Sequence, residues 1–252
     1  MDQVDSNYDY PFDPAASNNT AASIRRMVVA GGTRILDLGS GPGIVASHLQ
    51  RHDGRSVTCV DQSTASLEAA KQRGVEKTIQ ADLAGSDWAE TVRGEVFDVI
   101  VLADVLEHLV DPAALLAQIL DGGLLAKGGF MVISFPNAGH EAVIGELLSG
   151  RFTYQDTGLL DSTHLRFFTL ASMRELLERQ GLFITAVDRT TRTAEQTSLG
   201  AAELPPDLRQ RLVESVPDIQ TFQYIVRVER ADAASELAVL RRETLPRICW
   251  KT

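Results

Sequence analysis

Three groups of residues in this chain have the types and spacing that chemistry uses. The first is the run Asp37-Leu-Gly39-Ser40-Gly41-Pro-Gly43, an acid followed by three alternating glycines. Glycines let the backbone turn sharply and approach a ligand closely. Free N–H groups at the start of a following helix favour a polar or anionic group. The second group is carboxylates just past apolar stretches, Asp61 and Asp82. A carboxylate can accept two hydrogen bonds from a diol, which suits a ribose. The third is His108, His140 and His164. An imidazole, with an unperturbed pKa of about 6.5, can take a proton from an alcohol at neutral pH.

These residues need elements to hold them. Ile35, Leu36 and Leu38 form a short apolar run of the kind that becomes a buried parallel strand, and Ile44, Val45 and Leu49 begin a helix behind the glycines. A helix over Thr20–Val29 precedes them, stopped by Gly31-Gly32. Ser56–Asp61 is a second strand, with Gln62-Ser-Thr opening a helix. Asp61 stands about twenty residues past the glycines, where an α/β nucleotide fold places a ribose-binding acid; it is also a good N-cap. Val75–Gln80 makes a third strand ahead of Ala81-Asp82-Leu83, and Phe97–Ala103 a fourth. Pro112 opens a helix to about Ala126, Lys127-Gly128-Gly129 turns the chain, and Phe130–Phe135 is the fifth strand, ended by Pro136-Asn137. Strands alternating with helices argue for a doubly wound parallel sheet.

The glycine pattern resembles the first motif of the class I S-adenosylmethionine-dependent methyltransferases. A dinucleotide fingerprint would need a glycine where Ile44 stands. The resemblance implies a Rossmann-like fold with a mostly parallel, seven-stranded sheet, helices on both faces and an antiparallel last strand. It implies that Asp37, Gly39, Ser40, Gly41 and Gly43 hold the amino acid end and sulfur region of S-adenosyl-L-methionine. Asp61 would hold the ribose, Gln62 would also contact the cofactor, and Asp82 and Leu83 would hold the adenine; a turn role for Asp82 stays open. The segment Asp104-Val-Leu-Glu107-His108-Leu-Val-Asp-Pro112 is similar to the post-strand motif of small-molecule methyltransferases, so Ala103, Glu107 and His108 are expected at the cofactor. A structural role for His108, as a packed residue, stays open beside a proton-accepting one.

After residue 136 the β/α alternation breaks. The segment 137–168 reads as an insertion, weakly helical over Ala138–Leu148, then looped. Its phrase Asp161-Ser-Thr-His164-Leu-Arg166-Phe-Phe-Thr169 resembles methyltransferases of polysaccharide and secondary-metabolite biosynthesis. There the insertion supplies the substrate pocket, so Asn137, His140, Asp161, His164 and Arg166 are candidate acceptor contacts. Asp161 and Arg166 pairing with each other, and His164 capping a carbonyl, is the alternative. Thr169 caps a helix stopped by Gly181; Leu182–Val187 is a sixth strand and Gln220–Val228 the last, around a polar insertion at 190–218. The resemblance thus implies a methyltransferase domain over residues 24–230. Residues 1–23 are an arm, either packed on the domain or closing over the cofactor with Tyr10 at the acceptor, and 231–252 are an amphipathic tail.

Composition narrows the partners. In 252 residues no apolar run reaches the roughly 20 that a membrane span needs. The acidic start is not a secretory signal, and two distant cysteines, Cys59 and Cys249, do not make a disulfide framework, so a cytoplasmic setting is expected. A formal charge of −10 speaks against nucleic acid held through phosphates. No Cys or His cluster has metal-ligand spacing; Asp161 and His164 offer two ligands at most, and no metal is expected. The histidines lean towards methylation of oxygen, since an amine acceptor needs only to arrive neutral. A cofactor-binding module without catalysis and a nicotinamide-dependent dehydrogenase are the competing readings, and nothing in the sequence sets the oligomeric state.

Overall fold

The computed structural model describes residues 12–201 and 205–231. Tyr10 and the expected tail beyond residue 231 lie outside them. The order is α1 (Thr20–Val29), β1 (Arg34–Leu38), α2 (Ile44–Asp53), β2 (Ser56–Asp61), α3 (Thr64–Gln72), β3 (Lys77–Gln80), β4 (Phe97–Ala103), α4 (Pro112–Asp121), β5 (Leu125–Pro136), α5 (Glu141–Leu148), α6 (Leu170–Arg179), β6 (Leu182–Thr191), α7 (Pro206–Ser215) and β7 (Thr221–Arg230). The strands lie in the order β3-β2-β1-β4-β5-β7-β6. β7 runs antiparallel to both β5 and β6, while the other neighbours pair in parallel. The seven-stranded, mostly parallel sheet expected from the sequence is the one observed.

Residue alternation explains why both faces are covered. In β1, Ile35 packs with Val99 and Val101 of β4 against Ile24 and Val28 of α1, Ala46 and Leu49 of α2, and Leu67 and Ala70 of α3. On the opposite face, Leu36 and Leu38 join Ile100 and Leu102 against Leu115, Leu116 and Ile119 of α4 and Met173 and Leu177 of α6. A strand turns successive side chains to opposite faces, so a continuous apolar run buries both.

Besides shifts of one to three residues at β3, α5 and β7, the boundaries differ from expectation in three places. α4 ends at Asp121, not near Ala126, because Gly122-Gly123 stops it, with Gly123 at φ +62°. β5 therefore starts at Leu125, and Lys127-Gly128-Gly129 sits within that strand, where the register against β4 shifts. β6 runs on to Thr191 because β7 pairs with it as far as Thr221. These shifts leave the site in place, since strand ends on the carboxyl side set it.

Candidate active site

The carboxyl ends of β1, β2 and β4 open on a cavity of about 1030 Å³. Asp37, Gly39, Ser40, Gly41, Asp61, Gln62, Asp82, Leu83, Ala103 and His108 all line it. Gly43 and Glu107 do not.

The cradle is set by backbone. Gly39, Gly41 and Gly43 have φ of +71°, +52° and +68°, a region L side chains rarely adopt. A Cβ on Gly43 would stand 2.7 Å from the Cβ of Ala70, so the loop must pass close to α3. Gly39 and Ser40 donate to the Val60 carbonyl at 2.8 and 3.2 Å. Asp61 spans the loop: one carboxylate oxygen accepts from Gly41 N at 2.8 Å and the other from Ser63 N at 2.8 Å. A carboxylate has about four acceptor positions, so a ribose diol can still bond to it. α2 begins without a side-chain cap, and Ile44 and Val45 line the cavity, which leaves first-turn N–H groups for a ligand.

Asp37 is buried at the end of β1. Burial first, and then the Asp61 charge, push its carboxyl up to about 7. Asp82 is exposed at the other end of the cavity and accepts from Ala84 N at 2.9 Å.

The acceptor end is assembled from distant segments. Residues 106–108 form a single turn after β4. The Glu107 carbonyl accepts from Leu165 N and Arg166 N at 2.8 and 2.9 Å, which docks the 161–168 loop onto that turn. His108 and His164 thereby stack edge to face with centroids 4.9 Å apart. His108 lines the cavity; His164 is buried behind it, and burial, then the His108 charge, lowers its pKa. The Thr163 hydroxyl donates to Asp161 Oδ1 at 2.6 Å and sits 3.2 Å from His108 Nδ1. A hydroxyl has one proton. With that proton on Asp161, Thr163 accepts from His108 Nδ1–H, and Nε2 keeps a free lone pair. Asp161 thus acts through Thr163 and does not reach the cavity itself.

Other expected acceptor contacts lie elsewhere. His140 is fully buried and caps α5: Nδ1 accepts from Ala142 N at 3.1 Å, and Nε2 donates to the Arg192 carbonyl at 2.8 Å. Both nitrogens are used within the fold, and it is outside the cavity lining. Asn137 is likewise buried, donating to the Thr221 carbonyl at 2.9 Å and accepting from Gly139 N at 2.9 Å. The sequence placed both after a strand end but could not show that the insertion folds back over them. Arg166 holds the Val110 carbonyl and does not pair with Asp161.

Three site residues escaped the sequence reading. Asp104 lines the cavity at φ +53°, a conformation costly outside glycine, asparagine and aspartate. It is held there by Ser134 Oγ and Gln223 Nε2, each donating at 2.9 Å. Gln223, from β7, and Thr163 are the others. Asp104 opens the motif after β4, which was signal enough; Gln223 had none, because its place depends on the β5–β7 register. At the rim, Asn18 exchanges two hydrogen bonds with the Thr191 backbone, at 2.9 and 2.8 Å, and lines the cavity.

Residues 14–187 match the family described as "Methyltransferase domain". Curated relatives include a ubiquinone biosynthesis O-methyltransferase of Aeromonas salmonicida, 29% identical over 157 residues, covering 61% of this chain and 64% of the relative. Another, from Dinoroseobacter shibae, is 30% identical and covers 60% of each chain. The chain thus spans under two thirds of the length of these relatives. Among solved structures, the CcbJ methyltransferase of Streptomyces caelestis superposes with a TM-score of 0.58 at 16% identity, over 91% of this chain and 96% of that one. Magnesium protoporphyrin IX methyltransferase from Synechocystis, with bound S-adenosylhomocysteine, gives 0.56 at 18%, over 84% and 82%. At these identities the likeness is one of fold.

Proposed function

Because the chain belongs to the class I S-adenosylmethionine-dependent methyltransferases, we propose that it methylates a hydroxyl oxygen of a small molecule, with His108 as the proton acceptor. The carrying observation is the Asp161–Thr163–His108 chain of hydrogen bonds, which engages Nδ1 and leaves Nε2 of this cavity-lining histidine for an acceptor. The cavity fits the cofactor in chemistry as well as size. Its cofactor end presents Asp37 and Asp61 to a ligand that carries an ammonium and a sulfonium, and ligand sites commonly span about 300–1,000 Å³. When bound, the cofactor supplies an electrophilic methyl carbon and leaves as S-adenosyl-L-homocysteine.

The chain's own residues supply position and a proton sink. Asp37 orients the amino acid end, Asp61 and Gln62 the ribose, and Asp82 and Leu83 the adenine. His108 Nε2 would take the acceptor's hydroxyl proton as the methyl group is transferred, and the imidazolium would then lose that proton to water. In-line alignment supplies much of the acceleration, and Val105, Leu109 and Leu165 on the cavity wall exclude water from the reacting atoms.

Relatives named as O-methyltransferases support oxygen as the acceptor atom. The phrase at 161–169 supports a sugar or secondary-metabolite hydroxyl. The stretch around Asn18 closes over the bound cofactor as part of the arm. The test is a methyl-transfer screen, sugars and phenols first, run beside calorimetric titration with S-adenosylhomocysteine. One-to-one binding with methylation of a hydroxyl that His108→Asn abolishes is the expected result. Methylation confined to amines, or undiminished in His108→Asn, would overturn the reading.

A further inference from the structure

Orphaned polar atoms collect at one point behind the acceptor end. Among the described residues, six buried side-chain nitrogen or oxygen atoms lack a hydrogen-bond partner. Three of the six are the two Glu107 carboxylate oxygens and His164 Nδ1. Glu107 is 0% exposed, and it, His108 and His164 each bring one ligating atom within 4.8 Å of the others.

Neither protonation state of Glu107 is satisfied by the protein alone. Ionised, it is a buried charge without a counter-charge, which costs several kcal/mol. Neutral, it carries an O–H donor with no acceptor in reach, a penalty of its own. A divalent cation removes both penalties and gives His164 Nδ1 a partner. We propose that Glu107, His108 and His164 hold a divalent transition-metal ion at the acceptor end of the cavity.

The donor set indicates which ion. Two imidazoles and one carboxylate suit manganese, iron, cobalt, nickel or zinc; magnesium and calcium prefer oxygen. His108 offers Nε2, because Nδ1 is held by Thr163, and Thr163 is fixed by Asp161. A ligating histidine whose other nitrogen is tied to a carboxylate network is the usual supporting arrangement. Three protein ligands leave open positions, and His108 is the one that lines the cavity, so an acceptor hydroxyl can complete the coordination. The inference rests on the hydroxyl-methylating reading and changes one part of it. A hydroxyl bound to such an ion has a lowered pKa and releases its proton to water, with His108 as ligand in place of base.

The experiment is titration of the chelator-treated full chain with Mn²⁺, followed by electron paramagnetic resonance, and with Co²⁺, followed by visible absorption. His48 and His52, one turn apart on α2 with centroids 4.5 Å apart, are the obvious decoy, so His52→Ala is included. The expected result is one equivalent of tight uptake, unchanged in His52→Ala and weakened by at least about 10- to 100-fold in Glu107→Gln and His164→Ala, the range already seen when only a ligand's supporting partner is lost. Titration of each variant with S-adenosylhomocysteine reports that it has folded; Glu107→Gln, nearly isosteric, serves if His164→Ala does not. No uptake by the parent chain would overturn the proposal. So would uptake that survives in Glu107→Gln and disappears in His52→Ala. Methyl transfer without metal uptake sinks the ion alone, whereas metal uptake with no hydroxyl methylated sinks the methyl-acceptor reading alone.

Discussion

The two ends of the cavity are built on different plans. The cofactor end is local and made largely of backbone: strand, glycine turn and helix within residues 34–53, closed by Asp61 one strand later. The acceptor end is made of side chains from three separated segments, namely the turn at 106–108, the loop at 161–165 and Gln223 on β7. A backbone cradle is specified by the few residues that permit its dihedrals, so it serves any acceptor. A side-chain cluster depends on long-range docking, and each substitution in it changes chemistry without disturbing the cradle. Substitutions at the two ends should therefore separate turnover from cofactor affinity.

The largest separation is expected at His108. His108→Asn should lower kcat roughly 100- to 10,000-fold, the usual contribution of a positioned proton acceptor, and leave S-adenosylhomocysteine affinity within about threefold. Stopped assays and calorimetry on the same preparation measure both. A loss of affinity equal to the loss in kcat would show that the two ends are one coupled unit.

Asp61→Ala should do the reverse. It removes the acceptor we propose for the ribose and leaves Gly41 N and Ser63 N without their partner. A cost of about 1–3 kcal/mol in cofactor affinity follows, roughly 5- to 150-fold, with kcat at saturating cofactor little changed. Unchanged calorimetric affinity would take Asp61 out of the cofactor site.

Asp37 gives the cofactor end a pH dependence that the acceptor end does not share. Its carboxyl titrates at about 7 in the folded chain, against 3.8 for the free side chain. Between those values the folded chain holds a proton that the unfolded chain has lost. This residue's contribution to stability is therefore greatest below about pH 4 and declines as pH rises through about 7. Binding of a cationic ligand runs the other way, since only the ionised form attracts it. Affinity for the cofactor should fall by up to about tenfold per pH unit below 7. Asp37→Asn should bind weakly at every pH and lose the slope; a slope that survives would assign it to another group.

The same contrast explains what the sequence could tell. The strand–glycine–helix order, the seven strands and the acids that line the cavity were legible because each rests on local pattern: alternation in β1 and β4, glycines at positive φ, acids at strand ends. His140 and Asn137 were misleading in the same local terms. Each follows a strand end, and only the return of the chain at Arg192 and Thr221 commits His140 Nε2 and Asn137 Nδ2 to those carbonyls. The meeting of Glu107, His108 and His164 could not be read from spacing, since more than fifty positions separate the turn from the loop. His108 and His164 were each singled out by type, and their contact is a product of the docking through the Glu107 carbonyl.

Thr163 tests that docking with the smallest expected effect. Its hydroxyl links the insertion to the turn after β4 by the contact with His108 Nδ1, and it has no other duty apart from its bond to Asp161. Thr163→Val keeps the volume and removes the link. A net hydrogen bond of about 1–1.5 kcal/mol predicts a fall in kcat of about tenfold, with KM for the cofactor unchanged. Thr163→Ser restores the hydroxyl and should recover most of the rate, whereas a residue that merely filled space would be served better by valine than by serine. Equal rates in all three chains would mean that His108 is oriented by its edge-to-face contact with His164 alone, and that the acceptor end is held by packing as the cofactor end is held by backbone.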